Sequence, residues 1–265
     1  MFGNIILILC AMSLVPNFNL AGEVASVDSV TITVVYDNEA LVKGLVPSWG
    51  FSCLVQGLEK TILFDTGGQG EILLDNMERL GLDSQEVQVV VLSHLHGDHT
   101  GGLTDFLRVN PRVTVYMLDA FPDHLKKEVA KRDAKLLTVQ EPVEICPGAF
   151  LTGEMGKAIP EQALVITTDK GLVVITGCAH PGIIEMVEKS QDIGKEPPHL
   201  VMGGFHLFGA SRKQVREILS QFRGLGVTKT CPCHCTGTEA IEMFQETYGR
   251  DYIQCGVGQV IHLQR

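Results

Sequence analysis

The sequence predicts an α/β fold with mixed β-sheets inside and helices outside. Three observations carry this. Short β-branched and aromatic runs alternate with segments of helical spacing along the chain. Residues 87–92 (VQVVVL) form a nearly continuous apolar run, as in a strand covered on both faces. Glycine-bearing turns punctuate the elements. With 265 residues, 45% of them hydrophobic, there is ample material for the core of one large domain.

In order, 31–36 (TITVVY), 51–55 and 61–65 read as strands by their β-branched and aromatic content. Residues 71–80 (EILLDNMERL) have helical spacing and end at Gly81, a suitable C-cap. After the apolar strand 87–92 come a helix over 101–109, a strand over 113–117 and a short charged helix over 122–132. The strands 163–168 and 172–176 make a hairpin around Asp169-Lys170-Gly171. The second half continues with helix 183–192, strand 200–202, helix 212–225, strand 227–231, helix 238–248 and a closing strand 259–263. No internal repeat interrupts this order.

Charge and composition exclude several functions. Twenty-one Lys and Arg against 31 Asp and Glu give a net charge of −10. That argues against a general nucleic-acid surface, which works by releasing counterions from a basic face. Mean hydropathy is +0.18, raised by an apolar run over residues 5–15. This run is too short for a hydrocarbon core, which takes about 20 helical residues, and suits a signal-peptide core of about 7–15. Residues 1–25 are therefore expected to be a signal peptide or apolar N-terminal segment, and 26–265 a single domain without stable membrane insertion after processing. The segment favours export, although no basic residue precedes Lys43. The cysteines favour a reducing cytoplasm: apart from Cys10 there are seven, an odd number, and Cys231, Cys233 and Cys235 alternate along a strand instead of forming a disulfide framework.

The chemistry concentrates in His94-Leu95-His96-Gly97-Asp98-His99, between the apolar strand and the next helix. Three imidazoles and a carboxylate in six residues would be a costly loop without a metal. His94 and His96 can converge on one point while Asp98 and His99 aim at a neighbouring one, and Gly97, Gly101 and Gly102 let the backbone turn close by. Three later strand ends each deliver a histidine: Gly177-Cys178-Ala179-His180-Pro181-Gly182, Gly203-Gly204-Phe205-His206 and Cys233-His234-Cys235-Thr236-Gly237.

The first motif resembles the His-x-His-x-Asp-His signature of the metallo-β-lactamase superfamily, and Asp65-Thr66-Gly67 upstream is similar to that family's strand-end Asp-Thr-Gly. The later motifs resemble the branch that includes dihydropterin-ribofuranosylaminobenzene phosphate synthase. The resemblance implies an αββα four-layer sandwich with helices on both outer faces. It places His94, His96 and His180 on one metal ion and Asp98, His99 and His234 on a second. Zinc is the first choice, with iron, manganese or magnesium as alternatives.

Two departures from the superfamily pattern stand out. Residues 157–162 hold no histidine where a ligand is usual, and Gly177-Cys178 replaces the strand-end Gly-Asp that bridges the metals. Two divalent ions facing one Asp would keep a charge of about +3, which a Cys178 thiolate would lower; otherwise Cys178 is a small packed residue. His206 reads as a proton donor to a leaving group or a phosphate contact. His234 is expected to face the metals, with Cys233 and Cys235 packing to either side. His124, His199 and His262 read as structural or solvent-facing. Ser52, Cys53 and Trp49 fit either the mouth of the site or strand-edge packing.

The function expected is a metal-dependent hydrolase or transferase acting on a small anionic substrate of phosphate or pterin type. The metals would act as Lewis acids and lower the pKa of a bridging water, with Asp98 orienting that nucleophile. A di-iron redox protein and a non-catalytic metal-binding sensor are the alternatives. The expected partner is the substrate alone, and a homodimer is compatible with the sequence.

Overall fold

The computed structural model describes residues 29–265, so the N-terminal segment assigned to export or an apolar start lies outside the described residues. Among the described residues no helix is long and apolar enough to cross a membrane.

The first half begins with β1 (Ser29–Tyr36), β2 (Ser52–Gln56) and β3 (Ile62–Phe64), followed by α1 (Gly70–Arg79). The predicted cap forms: Gly81 takes φ +70°, its N–H bonds Glu78 O, and the Leu82 N–H bonds Met77 O, the paired closure of a Schellman turn. Then come β4 (Val89–Val91), α2 (Gly97–Thr100), α3 (Leu103–Val109), β5 (Thr114–Leu118), α4 (Asp123–Ala130) and β6 (Lys135–Val139). The helix expected over 101–109 is α3, which starts two residues later; the short α2 before it was not expected, and the two are parted where Gly101 and Gly102 press against neighbouring backbone.

The second half contains β7 (Val143–Cys146), β8 (Ala149–Leu151), β9 (Leu164–Thr168), β10 (Gly171–Thr176) and α5 (Ile183–Gly194). It continues with β11 (Pro198–Gly204), α6 (Arg212–Gly224), β12 (Lys229–Cys233), α7 (Thr238–Tyr248) and β13 (Val260–Gln264). The strands β6, β7 and β8 were not expected from the sequence.

Two mixed sheets result, one in the order β13-β1-β2-β3-β4-β5-β6 and the other β12-β11-β10-β9-β8-β7. On β10, Val173 and Ile175 enter the core shared with the first sheet, while Leu172 and Val174 pack under α5 and α6. This two-residue alternation is why the second-half strands read as continuously apolar. Leu73 and Met77 of α1 and Leu103, Phe106 and Leu107 of α3 cover the other sheet. The αββα expectation is met.

Parallel pairing decides where the chemistry sits. β3 and β4 run parallel, as do β10, β11 and β12. Residues just beyond their C-terminal ends therefore gather along one rim of the sandwich, the usual place for a ligand in such sheets.

Candidate metal centre

Asp65 follows β3, His94 follows β4, and His180, His206 and His234 follow β10, β11 and β12. Asp65, Ala179, His206 and His234 all adopt left-handed backbone, with φ between +50° and +59°. Such strain in non-glycine residues gathers where tertiary structure enforces a particular side-chain direction.

A buried hydrogen-bond network fixes which ring nitrogens face the site. Asp65 Oδ1 accepts from the Ser93 N–H at 2.7 Å. Its Oδ2 accepts from Ser93 Oγ at 2.7 Å and from His99 Nδ1 at 2.7 Å. Because the Ser93 hydroxyl donates to Asp65, it accepts from His94 Nδ1 at 2.9 Å. On the opposite wall, Asn38 Oδ1 accepts from the Gly50 N–H and from His234 Nδ1 at 3.1 Å. With these Nδ1 atoms protonated, His94, His99 and His234 each turn a bare Nε2 inward.

These lone pairs converge. His94 Nε2 is buried without a hydrogen-bond partner, and it meets His96 and His180, whose Nδ1 and Nε2 atoms are 3.2 Å apart. Beside them, His99 Nε2 and His234 Nε2 face each other at 3.3 Å, with Asp98 Oδ2 3.2 Å from His234 and 3.8 Å from His99. Acceptors at that separation repel unless a cation lies between them, and a borderline divalent ion matches imidazole and carboxylate donors. The residues present therefore fit metal binding.

Charge follows the same logic. Burial and the surrounding imidazoles hold His94 far below the usual histidine range. Burial, reinforced by His206 and His96, takes His180 down to about 4. Burial would also lower His99, but the Asp65 carboxylate outweighs it and raises that imidazole. For Asp98 burial pushes upward and is overcome by the His234 hydrogen bond and the charges of His99 and His234, which hold it well below the usual carboxylate range.

Cys178 occupies the position between the two histidine groups, its Sγ 3.2 Å from His99 Nε2. His206 is more open to solvent and packs against His180 with ring centroids 4.3 Å apart and the planes tilted by 55°. Its neighbour Cys235 does more than pack, since Cys178, His206 and Cys235 bring their donor atoms within 4.8 Å of one another. His234 leaves the strand at Cys233 and lies in a single 3-10 turn, so its direction comes from that turn and not from strand alternation.

Glu161 is the site residue that sequence reasoning missed. Fully buried, its Oε1 accepts from the N–H groups of Gly177, Cys178 and Ala179, and its Oε2 from that of His180, at 2.8–3.1 Å. Burial raises its carboxyl against the pull of the His180, Ala179 and Cys178 N–H groups and of His99. One side chain thereby holds the loop that presents Cys178 and His180.

Of the residues weighed for the mouth, Trp49 is 57% exposed and leans on His234 at 4.7 Å, whereas Ser52 and Cys53 are buried. Two clefts flank the constellation. A cavity of about 280 Å³ is lined by Trp49, Phe208 and His234, and one of about 320 Å³ by His180, His206 and Phe205. His124, His199 and His262 take no part in the constellation's hydrogen bonds.

A family model described as the metallo-beta-lactamase superfamily matches residues 50–234. The chain is 29% identical over 290 aligned residues, 90% of this chain and 98% of the relative, to 7,8-dihydropterin-6-methyl-4-(beta-D-ribofuranosyl)-aminobenzene-5'-phosphate synthase of Methanocaldococcus jannaschii. It is also similar to the crystal structure of Tm1679, described as a metal-dependent hydrolase of the beta-lactamase superfamily. That likeness has a TM-score of 0.76 and 29% identity, and covers 89% of this chain and 100% of that one. YhfI of Bacillus subtilis, a metallo-beta-lactamase fold protein, aligns with a TM-score of 0.63 at 17% identity over 89% of this chain and 99% of its own.

Proposed function

Because the chain belongs to the metallo-beta-lactamase superfamily, we propose that it is a dinuclear metal-dependent hydrolase or transferase acting on a small anionic substrate that carries an aromatic ring. The observation that carries this is the convergence of bare Nε2 atoms from His94, His99 and His234, with Asp98 Oδ2 beside the latter two.

His94, His96 and His180 would hold one ion, and Asp98, His99 and His234 the other, with Cys178 placed to approach both groups. When bound, two divalent ions supply Lewis acidity toward a phosphoryl or carbonyl oxygen and bring the pKa of water down toward ~7. Asp98, held ionised, accepts a proton or orients a water through Oδ2. Asp65 keeps His99 and His94 in the orientation that leaves Nε2 free. His206 faces the cleft beside His180, and its hydrogen bond with Cys235 raises its pKa; a protonated His206 is suited to donate to a leaving group.

Substrate class is inferred from the clefts. Trp49 and Phe208 stand 57% and 81% exposed at one opening, an arrangement that accommodates a flat ring by stacking. The second cleft lets a second substrate approach from the His206 side, as a joining reaction requires. The compound that the relative's name says it makes contains a dihydropterin and a ribofuranosylaminobenzene phosphate, and these two parts have these features. The test is to assay the zinc-, manganese- and iron-loaded protein on that pair, with the dihydropterin supplied as a 6-methyl phosphate or diphosphate ester whose phosphate or diphosphate leaves as the new bond forms, and on generic phosphodiester, lactone and thioester substrates. Turnover that disappears on chelation and in His96→Ala supports the reading. A metal-replete protein silent on all of them, or an active metal-free one, would overturn it.

A further inference from the structure

A second cluster of metal-binding side chains lies behind His234. Asp37, just past β1, Cys233 at the end of β12, and Cys255 in the segment before β13 bring their donor atoms within 4.8 Å of one another. All three are buried. Cys231 lies two residues back on β12, hence on the same side of that strand as Cys233, and its thiol is hydrogen-bonded with Cys255. All of these cysteines are free.

Asp37 supplies the independent observation. Its carboxylate is 2% exposed; Oδ2 accepts from the Glu39 N–H at 3.2 Å, while Oδ1 has no hydrogen-bond partner. A buried carboxylate oxygen without a donor is destabilising by several kcal/mol unless a proton or a cation meets it, and burial raises the Asp37 carboxyl accordingly. No Lys or Arg pairs with Asp37 among the described ion pairs, and the groups gathered around it are thiols. Thiols are weak donors but, once deprotonated, strong ligands for a borderline cation.

We propose that Asp37, Cys233 and Cys255, with Cys231 as fourth ligand, form a structural site for a zinc-type divalent cation, separate from the histidine constellation. Tetrahedral zinc with Zn–S near 2.3 Å sets its sulfurs about 3.8 Å apart, so the Asp37, Cys233 and Cys255 donor atoms, already within 4.8 Å of one another, need only small rotations, and Cys231 closes the set from two residues back on β12. The thiol protons leave to solvent as the ion binds, and no oxidant or reductant is involved. The ligands come from both sheets: β1 belongs to the seven-stranded sheet and β12 is the edge of the six-stranded one. The cation would therefore clamp the sandwich at the place where Asn38 and His234, the immediate neighbours of Asp37 and Cys233, enter the catalytic rim. A mixed carboxylate and thiolate set favours zinc over copper(I), which selects sulfur alone.

The experiment uses the full chain in a Cys178→Ala/Cys235→Ala background, which removes the thiols next to the histidines. Metal content is measured after purification from zinc-supplied medium, followed by zinc X-ray absorption and by the charge-transfer band of the cobalt-substituted protein. The expected result is a Zn–S shell near 2.3 Å and a thiolate-to-cobalt band. Adding Cys255→Ala or the isosteric Asp37→Asn should remove one metal equivalent together with the Zn–S shell and the band, whereas adding His96→Ala should remove only an equivalent held by nitrogen and oxygen and leave the Zn–S shell and the band in place. A background protein with only nitrogen and oxygen scattering would overturn the proposal even if the cluster variants fail to fold. So would an Asp37→Asn protein with unchanged metal content and band.

Discussion

Oδ2 of Asp65 lies 2.7 Å from Nδ1 of His99, and through Ser93 the same carboxylate also orients His94. One buried residue outside the His-x-His-x-Asp-His motif thus decides which nitrogen two of its histidines present. Asp65→Asn keeps the size but not the capacity to accept from Ser93 N–H, Ser93 Oγ and His99 Nδ1 together. We expect metal affinity to fall about 10–100-fold, as for other residues that orient a ligating imidazole. A competition titration against a chromophoric chelator measures it, and an unchanged affinity would reduce Asp65 to a packing role.

His96 is the most accessible of the three histidines around the first proposed ion, so its loss should separate metal binding from folding. His96→Ala is expected to lose that ion and essentially all turnover while far-ultraviolet circular dichroism stays as in the parent. Metal analysis and the activity screen read the two effects on the same preparation. An active, metal-replete His96→Ala protein would contradict the ligand assignment.

The sequence displayed the helices and the inner strands because their periodicities come from core faces, as in Val173 and Ile175 against Leu172 and Val174. It concealed β6 and β7 because Lys135, Thr138 and Glu144 are exposed on them, leaving no clean alternation. At the site, the histidines were legible since each stands in a short motif at a strand end. Glu161 was not, because its partners are backbone N–H groups, which leave no mark on residue type; its only signal was a lone acid two residues before the apolar run 163–166. Asp37 and Cys255 were hidden for another reason, being far apart in the chain and joined only by the closing of the two sheets.

Glu161 tests how far a single carboxylate holds the Cys178–His180 loop. In Glu161→Gln one oxygen is replaced by an amide that donates instead of accepting, so it opposes at least one of the four N–H groups it should receive. Hydrogen bonds to a charged group contribute roughly 1.5–3 kcal/mol each, and losing one should lower Tm by about 5–10 °C in a domain of this size. Turnover should fall along with stability, because His180 moves with the loop. Calorimetry on the metal-free protein isolates the structural part; a Tm within about 1 °C of the parent would show that the loop stands without this bond.

Trp49 offers the converse case, an exposed side chain at the opening. Trp49→Ala should leave Tm nearly unchanged, since surface substitutions usually shift stability by no more than ~0.5 kcal/mol. If the ring of the substrate stacks there, the loss of about 0.5–1.5 kcal/mol of aromatic contact raises KM roughly 2–10-fold with a smaller change in kcat. Steady-state kinetics on any substrate found in the screen decides this, and a KM equal to that of the parent would move the ring to the other cleft.

The opposed shifts of His94 and His99 make proton release a probe of the site. Burial and neighbouring imidazoles keep His94 neutral throughout the physiological range, whereas Asp65 raises His99 above its ordinary value. Below the His99 pKa the metal-free protein carries a proton on Nε2 that an incoming cation must displace; above it, that nitrogen is already bare. Protons released per metal bound should therefore be greatest below this pKa and decline as pH rises through it. Asp65→Asn removes the main cause of the raised value, so its decline should be displaced to lower pH, and near neutrality it should release fewer protons than the parent. Calorimetric titrations in buffers of different ionisation enthalpy measure the release directly. Identical proton counts for parent and variant from pH 6 to 8 would show that Asp65 does not govern the charge of His99, and with it would fall the account of why Nε2 faces the proposed metal site.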